Sequence, residues 1–87
     1  MPGLRLPRQE IGQRGDEIYA TTLRGVLEPQ CNGQFVAIDV ESQDYEVADE
    51  AMDASDRLRQ RHVDAQVLVK RVGFPAAFFA RGVRSRS

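Results

Sequence analysis

The chain has 87 residues, of which 41% are hydrophobic and 29% charged, and its net charge is −1. These values are typical of one globular domain and exclude a chain too polar to fold. The single cysteine excludes an internal disulfide and a cysteine-rich zinc site. No apolar run reaches the length of a membrane span, and the N-terminal residues lack the apolar segment of a signal peptide. We therefore expect a cytoplasmic protein.

The first predicted element is an amphipathic helix over residues 8–28, which follows a flexible arm, residues 1–7. Its apolar stripe has the spacing of a helix, and Pro29 ends it. Gly12 and Gly15 weaken its first half, so a shorter helix capped by Asp16 is the alternative. The stripe consists of Ile11, Ile18, Tyr19, Thr22, Leu23, Val26 and Leu27.

Two strands, residues 34–41 and 44–47, follow at hairpin distance. A two-residue loop at Ser42 and Gln43 pairs Ile38 with Val47 and Val40 with Tyr45. It also pairs Asp39 with Glu46 and Glu41 with Asp44, so one face is apolar and the opposite face is acidic. Glutamine is a poor residue for such a loop, which indicates a longer or strained turn.

A second helix is predicted from about residue 49 to 61, with acids first and arginines last, as the helix dipole favours. Its buried stripe is Ala51, Ala54, Ser55 and Leu58. Strands over residues 64–72 and 76–80 follow, and residues 82–87 are expected to be a mobile tail. The order α-β-β-α-β-β predicts a single α+β domain, residues 8–81, with two layers: an antiparallel sheet and helices on one face.

Residues 15–19, 33–41, 44–46, 57–59 and 71–77 resemble a family of small bacterial proteins known as a domain of unknown function. The resemblance covers about residues 10–82. It implies an antitoxin-like role as the binding partner of a small aspartic-protease-like protein. Glycine is common in the family where Gln43 stands, and proline where Val63 stands.

The acidic face allows three interpretations: a structural face that is solvated or paired with the Arg-rich third strand and tail, a surface that pairs with a charged partner, or a divalent-cation site. Asp39, Glu41 and Glu46 would be the ligands of a metal-dependent hydrolase, but the strand offers no nearby lysine. We favour a structural face and predict no cofactor or metal. His62, at a helix end, is expected to contact the last carbonyl groups, and Cys31 to be an inert thiol.

Charge is divided along the chain. Residues 28–56 contain nine acidic and no basic residues, whereas residues 57–87 contain eight basic and one acidic. The C-terminal arginines make a nucleic-acid-binding protein the main alternative, although no nucleic-acid-binding motif is present. Those basic residues are Arg57, Arg59, Arg61, Lys70, Arg71, Arg81, Arg84 and Arg86.

Phe78 and Phe79 are neighbours in a predicted strand, so their rings point to opposite faces and one ring is available to a partner. With Arg71 and Arg81 they form the predicted partner-binding set. The sequence therefore favours a non-enzymatic protein–protein interaction module that binds another protein or a second copy of itself.

Overall fold

The computed structural model describes residues 6–74. The predicted fourth strand, the arm up to residue 5 and the tail after residue 81 lie outside the described residues. The first helix begins at Arg8 and contains three consecutive parts: α1 (Arg8–Ile18), a π-helical turn (Tyr19–Leu23) and α2 (Arg24–Leu27). Glu28 has extended backbone, as a residue before proline prefers, so the helix ends where the sequence predicts and the alternative start at Asp16 is not used.

The π-helical turn changes which residues of this helix are buried. Tyr19, Leu23 and Leu27 are buried, whereas Thr22 and Val26 of the predicted stripe are exposed. A π turn bonds residues five apart rather than four. The wider turn shifts the buried side by one residue, so beyond Ile18 it falls on Leu23 and Leu27 instead of Thr22 and Val26.

The sheet has three antiparallel strands in the order β2-β1-β3, with β1 at Phe35–Asp39, β2 at Tyr45–Ala48 and β3 at Val67–Arg71. The helix between β2 and β3, α3, spans Ala51–Arg61 and buries Ala54 and Leu58 as predicted. An α+β fold with an antiparallel sheet is thus confirmed.

The helices divide between the two faces of the sheet, which differs from the expected layer of helices on one face. Val36 and Ile38 belong to a core cluster with residues of the first helix. Ala37, between them on β1, belongs to a second cluster with Ala54 and Leu58 of α3. The physical reason is that β1 is buried on both sides from Val36 to Asp39, and such a strand needs a packed layer on each face.

The hairpin register differs from the predicted one by two residues. Ile38 pairs with Tyr45, not Val47, and Ala37 rather than Asp39 pairs with Glu46. The Asp39 amide donates to the Asp44 carbonyl at 2.9 Å, so the loop holds four residues instead of two. Gln43 adopts a φ of 68°, the left-handed region that a longer turn requires here. A shift of two leaves every side chain on its predicted face.

Candidate functional site

The acidic hairpin is stabilised first by hydrogen bonds of its own side chains within the loop. The Asp39 side chain is 5% exposed, accepting hydrogen bonds from the Glu41 amide (3.2 Å) and the Ser42 hydroxyl (2.8 Å). The hydroxyl oxygen of Ser42 accepts in turn from the Asp44 amide at 3.1 Å. These bonds are the usual way in which aspartate and serine side chains order a turn. Asp39 is therefore occupied in shaping the four-residue loop.

The end of α3 supplies the cations that face the hairpin. Arg61 lies 3.0 Å from the Asp44 carboxylate and also donates to Glu46. His62 Nε2 lies 2.9 Å from Asp44 Oδ2. The hydrogen bond with His62, followed by that with Arg61, holds the pKa of Asp44 below its usual range, and the bonds with Glu46 and Asp44 raise the pKa of Arg61.

Arg61 also covers the outer edge of β2. The Asp39 amide donates to the Asp44 carbonyl, so the backbone of the next residue, Tyr45, points its N–H and C=O away from β1. The Asp44 carboxylate accepts from this N–H at 2.8 Å, and Arg61 donates to this C=O at 3.3 Å. Exposed edge strands invite pairing with other chains, and here side chains occupy the outward backbone groups of Tyr45.

Two sequence interpretations change with this geometry. Within residues 6–74, Asp44 and Glu46 of the acidic face are paired with Arg61 and His62 at the end of α3 rather than with the third strand, and the tail lies outside the described residues. His62 bonds a carboxylate of the hairpin, where contact with helix carbonyls was expected.

Within residues 6–74, no three His, Cys, Asp or Glu residues are grouped in a way that could hold a metal ion. This finding weighs against the metal alternative at Asp39, Glu41 and Glu46.

A different cluster lies at the end of β3, around Arg71. Its guanidinium carbon is 5.6 Å from the centre of the Phe35 ring and 4.5 Å from that of Phe74. Its Nε donates to the Gly33 carbonyl at 3.1 Å. Phe74 is 47% exposed, so the ring presents apolar surface to solvent. Of the predicted partner-binding set, Arg71 is in this cluster, whereas Phe78, Phe79 and Arg81 lie outside the described residues.

Sequence reasoning missed a buried polar contact between the first helix and the sheet. The Lys70 side chain is 5% exposed, and its Nζ lies 3.3 Å from Asp16 and 5.3 Å from the centre of the Tyr19 ring. The Tyr19 hydroxyl donates to Glu28, and burial followed by this bond raises the pKa of Tyr19. The signal was present in the sequence, since Lys70 alternates in phase with buried Leu68.

The remaining predicted residues take structural or surface positions. Cys31 is half-buried against the core cluster on the first helix. Arg59 donates to Ser55 one turn earlier on α3, and Arg57 is exposed. Arg61 and Lys70 make the contacts with acidic side chains given above.

None of the helices in residues 6–74 has the length and apolar character needed to cross a membrane. No family model matches the chain, and neither the curated proteins nor the solved structures include a significant match to it. The resemblance to the family of unknown function therefore stays a prediction.

Proposed function

We propose that this chain is a non-enzymatic protein–protein interaction module, and that it binds its partner through the cluster of Phe35, Arg71 and Phe74. The single observation that carries the proposal is the guanidinium packed against two rings, one of which is half-exposed. Arginine and aromatic residues are enriched at interfaces and at the positions that contribute most to binding.

The carboxylates of Asp39 and Asp44 support a non-enzymatic role because both already form hydrogen bonds within the protein. Asp39 orders the hairpin loop, and Asp44 joins the hairpin to Arg61 and His62. A general base or nucleophile needs a lone pair directed at a substrate. An antitoxin-like role and a protease-like partner are the more specific form of the proposal, and they depend on the family resemblance alone.

The position of the cluster also fits the predicted partner-binding set. Phe74 immediately precedes residues 75–81, which contain Phe78, Phe79 and Arg81. In sequence, the stretch from Arg71 to Arg81 therefore combines apolar and cationic residues. Such a combination is typical of the centre of an interface.

The experiment is recovery of the tagged full chain from the cells that produce it, with a matched pair of variants. Phe74→Ser removes the half-exposed ring of the cluster, and Val63→Ser removes a side chain that is 80% exposed elsewhere. We expect a stoichiometric protein partner to be retained by Val63→Ser and lost by Phe74→Ser.

Three results would contradict the proposal. The first is a partner that both variants retain, and the second is a monomer by light scattering with no partner recovered. The third is recovered nucleic acid whose binding weakens steeply with salt, because that dependence reports phosphate contacts. That outcome would favour the alternative of a nucleic-acid-binding protein.

A further inference from the structure

We infer that Arg71 is a receptor for a carboxylate group, and that the partner presents an Asp or Glu beside an apolar residue at this site. The inference rests on the proposed function and specifies the chemistry of the partner. The guanidinium is oriented by contacts with three residues: Gly33, Phe35 and Phe74. Arg71 pairs across the sheet with Phe35, and its Nε donates to Gly33.

The chain reversal after β3 places the second ring against the guanidinium. Gly73 has a φ of +88°, and a Cβ built there would lie 2.8 Å from Asn32, so the turn requires glycine. The Phe74 amide donates back to the Arg71 carbonyl at 3.2 Å, which brings the second ring over the guanidinium. One bond and two rings therefore orient the group before any ligand arrives, and such preorganisation lowers the entropic cost of binding.

Within the described part of the chain, the two Nη groups of the guanidinium, which recognise anions, are left open. The hydrogen bond to Gly33 uses Nε, and no group within residues 6–74 accepts a hydrogen bond from either Nη of Arg71. Arg71 is exposed to solvent. A planar guanidinium with open N–H groups binds a carboxylate or a phosphate through two parallel hydrogen bonds.

Charge favours a protein carboxylate over nucleic acid. The chain contains thirteen acidic and twelve basic residues, a net charge of −1, so it has no excess positive charge to attract a polyanion. A polyanion needs several cations along its backbone. One carboxylate needs only one guanidinium, and an apolar neighbour of that carboxylate can pack on the exposed part of Phe74.

The test is an NMR titration of the isotope-labelled full chain, followed at the Arg71 Nε–H and at the backbone amides of Phe35 and Phe74. The probe is the peptide acetyl-Leu-Glu-Leu-Glu-Leu-amide, and the matched peptide has Gln in place of Glu. We expect saturable shifts at the three positions with the Glu peptide alone. Arg71→Gln and Arg71→Lys should each weaken binding about tenfold or more, since hydrogen bonds between charged groups contribute on that scale.

Arg59→Gln is the control variant, because it removes the same charge from the last turn of α3, and it should bind as the original chain does. The inference is overturned by equal shifts with the Gln peptide, by undiminished binding to Arg71→Lys, or by tighter binding of inorganic phosphate or single-stranded RNA at Arg71. A native partner that is lost by Phe74→Ser but kept by Arg71→Lys would refute the carboxylate receptor and leave the proposed function standing. Absence of any partner would refute the function, and the titration would still decide the role of Arg71.

Discussion

Gly15 is the position where the first helix approaches the sheet most closely. It is buried on α1, and a Cβ built on it would lie 2.2, 2.6 and 2.9 Å from Cδ2, Cβ and Cγ of Leu68 on β3. Ordinary carbon–carbon contacts are about 3.5–4.0 Å. A new rotamer of Leu68 can move Cδ2, but Cβ is fixed to the strand backbone. The helix must therefore move away from the sheet by about 1 Å to accept Gly15→Ala.

The magnitude follows from two opposing effects. Overpacking of a core costs about 1–3 kcal/mol, and alanine gains about 1 kcal/mol over glycine inside a helix. Because the contact involves a backbone-fixed atom, we expect the upper part of the first range and a net loss of about 1–2 kcal/mol in the free energy of unfolding.

Gly25→Ala is the matched control on the same continuous helix. Gly25 is exposed, and a Cβ there would meet nothing within 4 Å. Only the propensity gain applies, so this variant should be more stable by up to about 1 kcal/mol. Urea unfolding followed by far-UV circular dichroism measures the free energy of unfolding of both variants. Equal stabilisation by the two substitutions would refute the close approach of α1 to Leu68.

Three further predictions concern the hairpin and its contacts with α3. Gln43→Gly should raise the free energy of unfolding by about 1 kcal/mol, because glycine adopts the positive φ of this loop without strain; unchanged stability in urea unfolding would argue against that backbone. Because the folded-state pKa of Asp44 is lowered by His62 first and then by Arg61, its contribution is complete above the unfolded value of about 4 and disappears as pH falls through the folded pKa. Asp44→Asn should therefore flatten the acid limb of a plot of stability against pH; an unaltered limb would assign the acid sensitivity to other groups. Arg61→Gln should promote concentration-dependent association, since it uncovers the Tyr45 carbonyl at the β2 edge; a variant that stays monomeric at every concentration would contradict the edge-covering role.

The periodicity of the chain was informative because it reports on one strand or helix at a time. The alternation of Val36, Ile38 and Asp39 predicted the faces of β1 correctly, and the Ala54–Leu58 stripe predicted the buried side of α3. The unsuitability of Gln43 for a two-residue loop also predicted the longer turn. The alternation could not distinguish the observed register from the predicted one, which differs by two residues, because pairings that differ by an even number place the same side chains on the same faces.

The candidate site was less predictable, since its contacts join residues distant in sequence. Arg61 lies fifteen residues from Glu46, and Arg71 lies 38 residues from Gly33. A one-dimensional pattern can indicate that Arg71 is exposed at a strand end, but the rings beside it depend on strand pairing and on the turn at Gly73. The buried position of Lys70 was visible in the alternation, yet its compensating contact with Asp16 depends on how α1 packs.

The sequence by itself determined the α+β class, the ends of both helices to within about two residues, and which side chains of the hairpin strands share a face. These properties follow from local hydrogen bonding and from the free energy of burying apolar side chains at fixed spacings. Tertiary structure alone decided that the two helices cover opposite faces of the sheet, that Arg61 covers the edge of β2, and that Arg71 packs against two rings. The physical reason is that a strand with apolar groups on both faces accepts a helix on either, and only the packing of the whole chain selects between them.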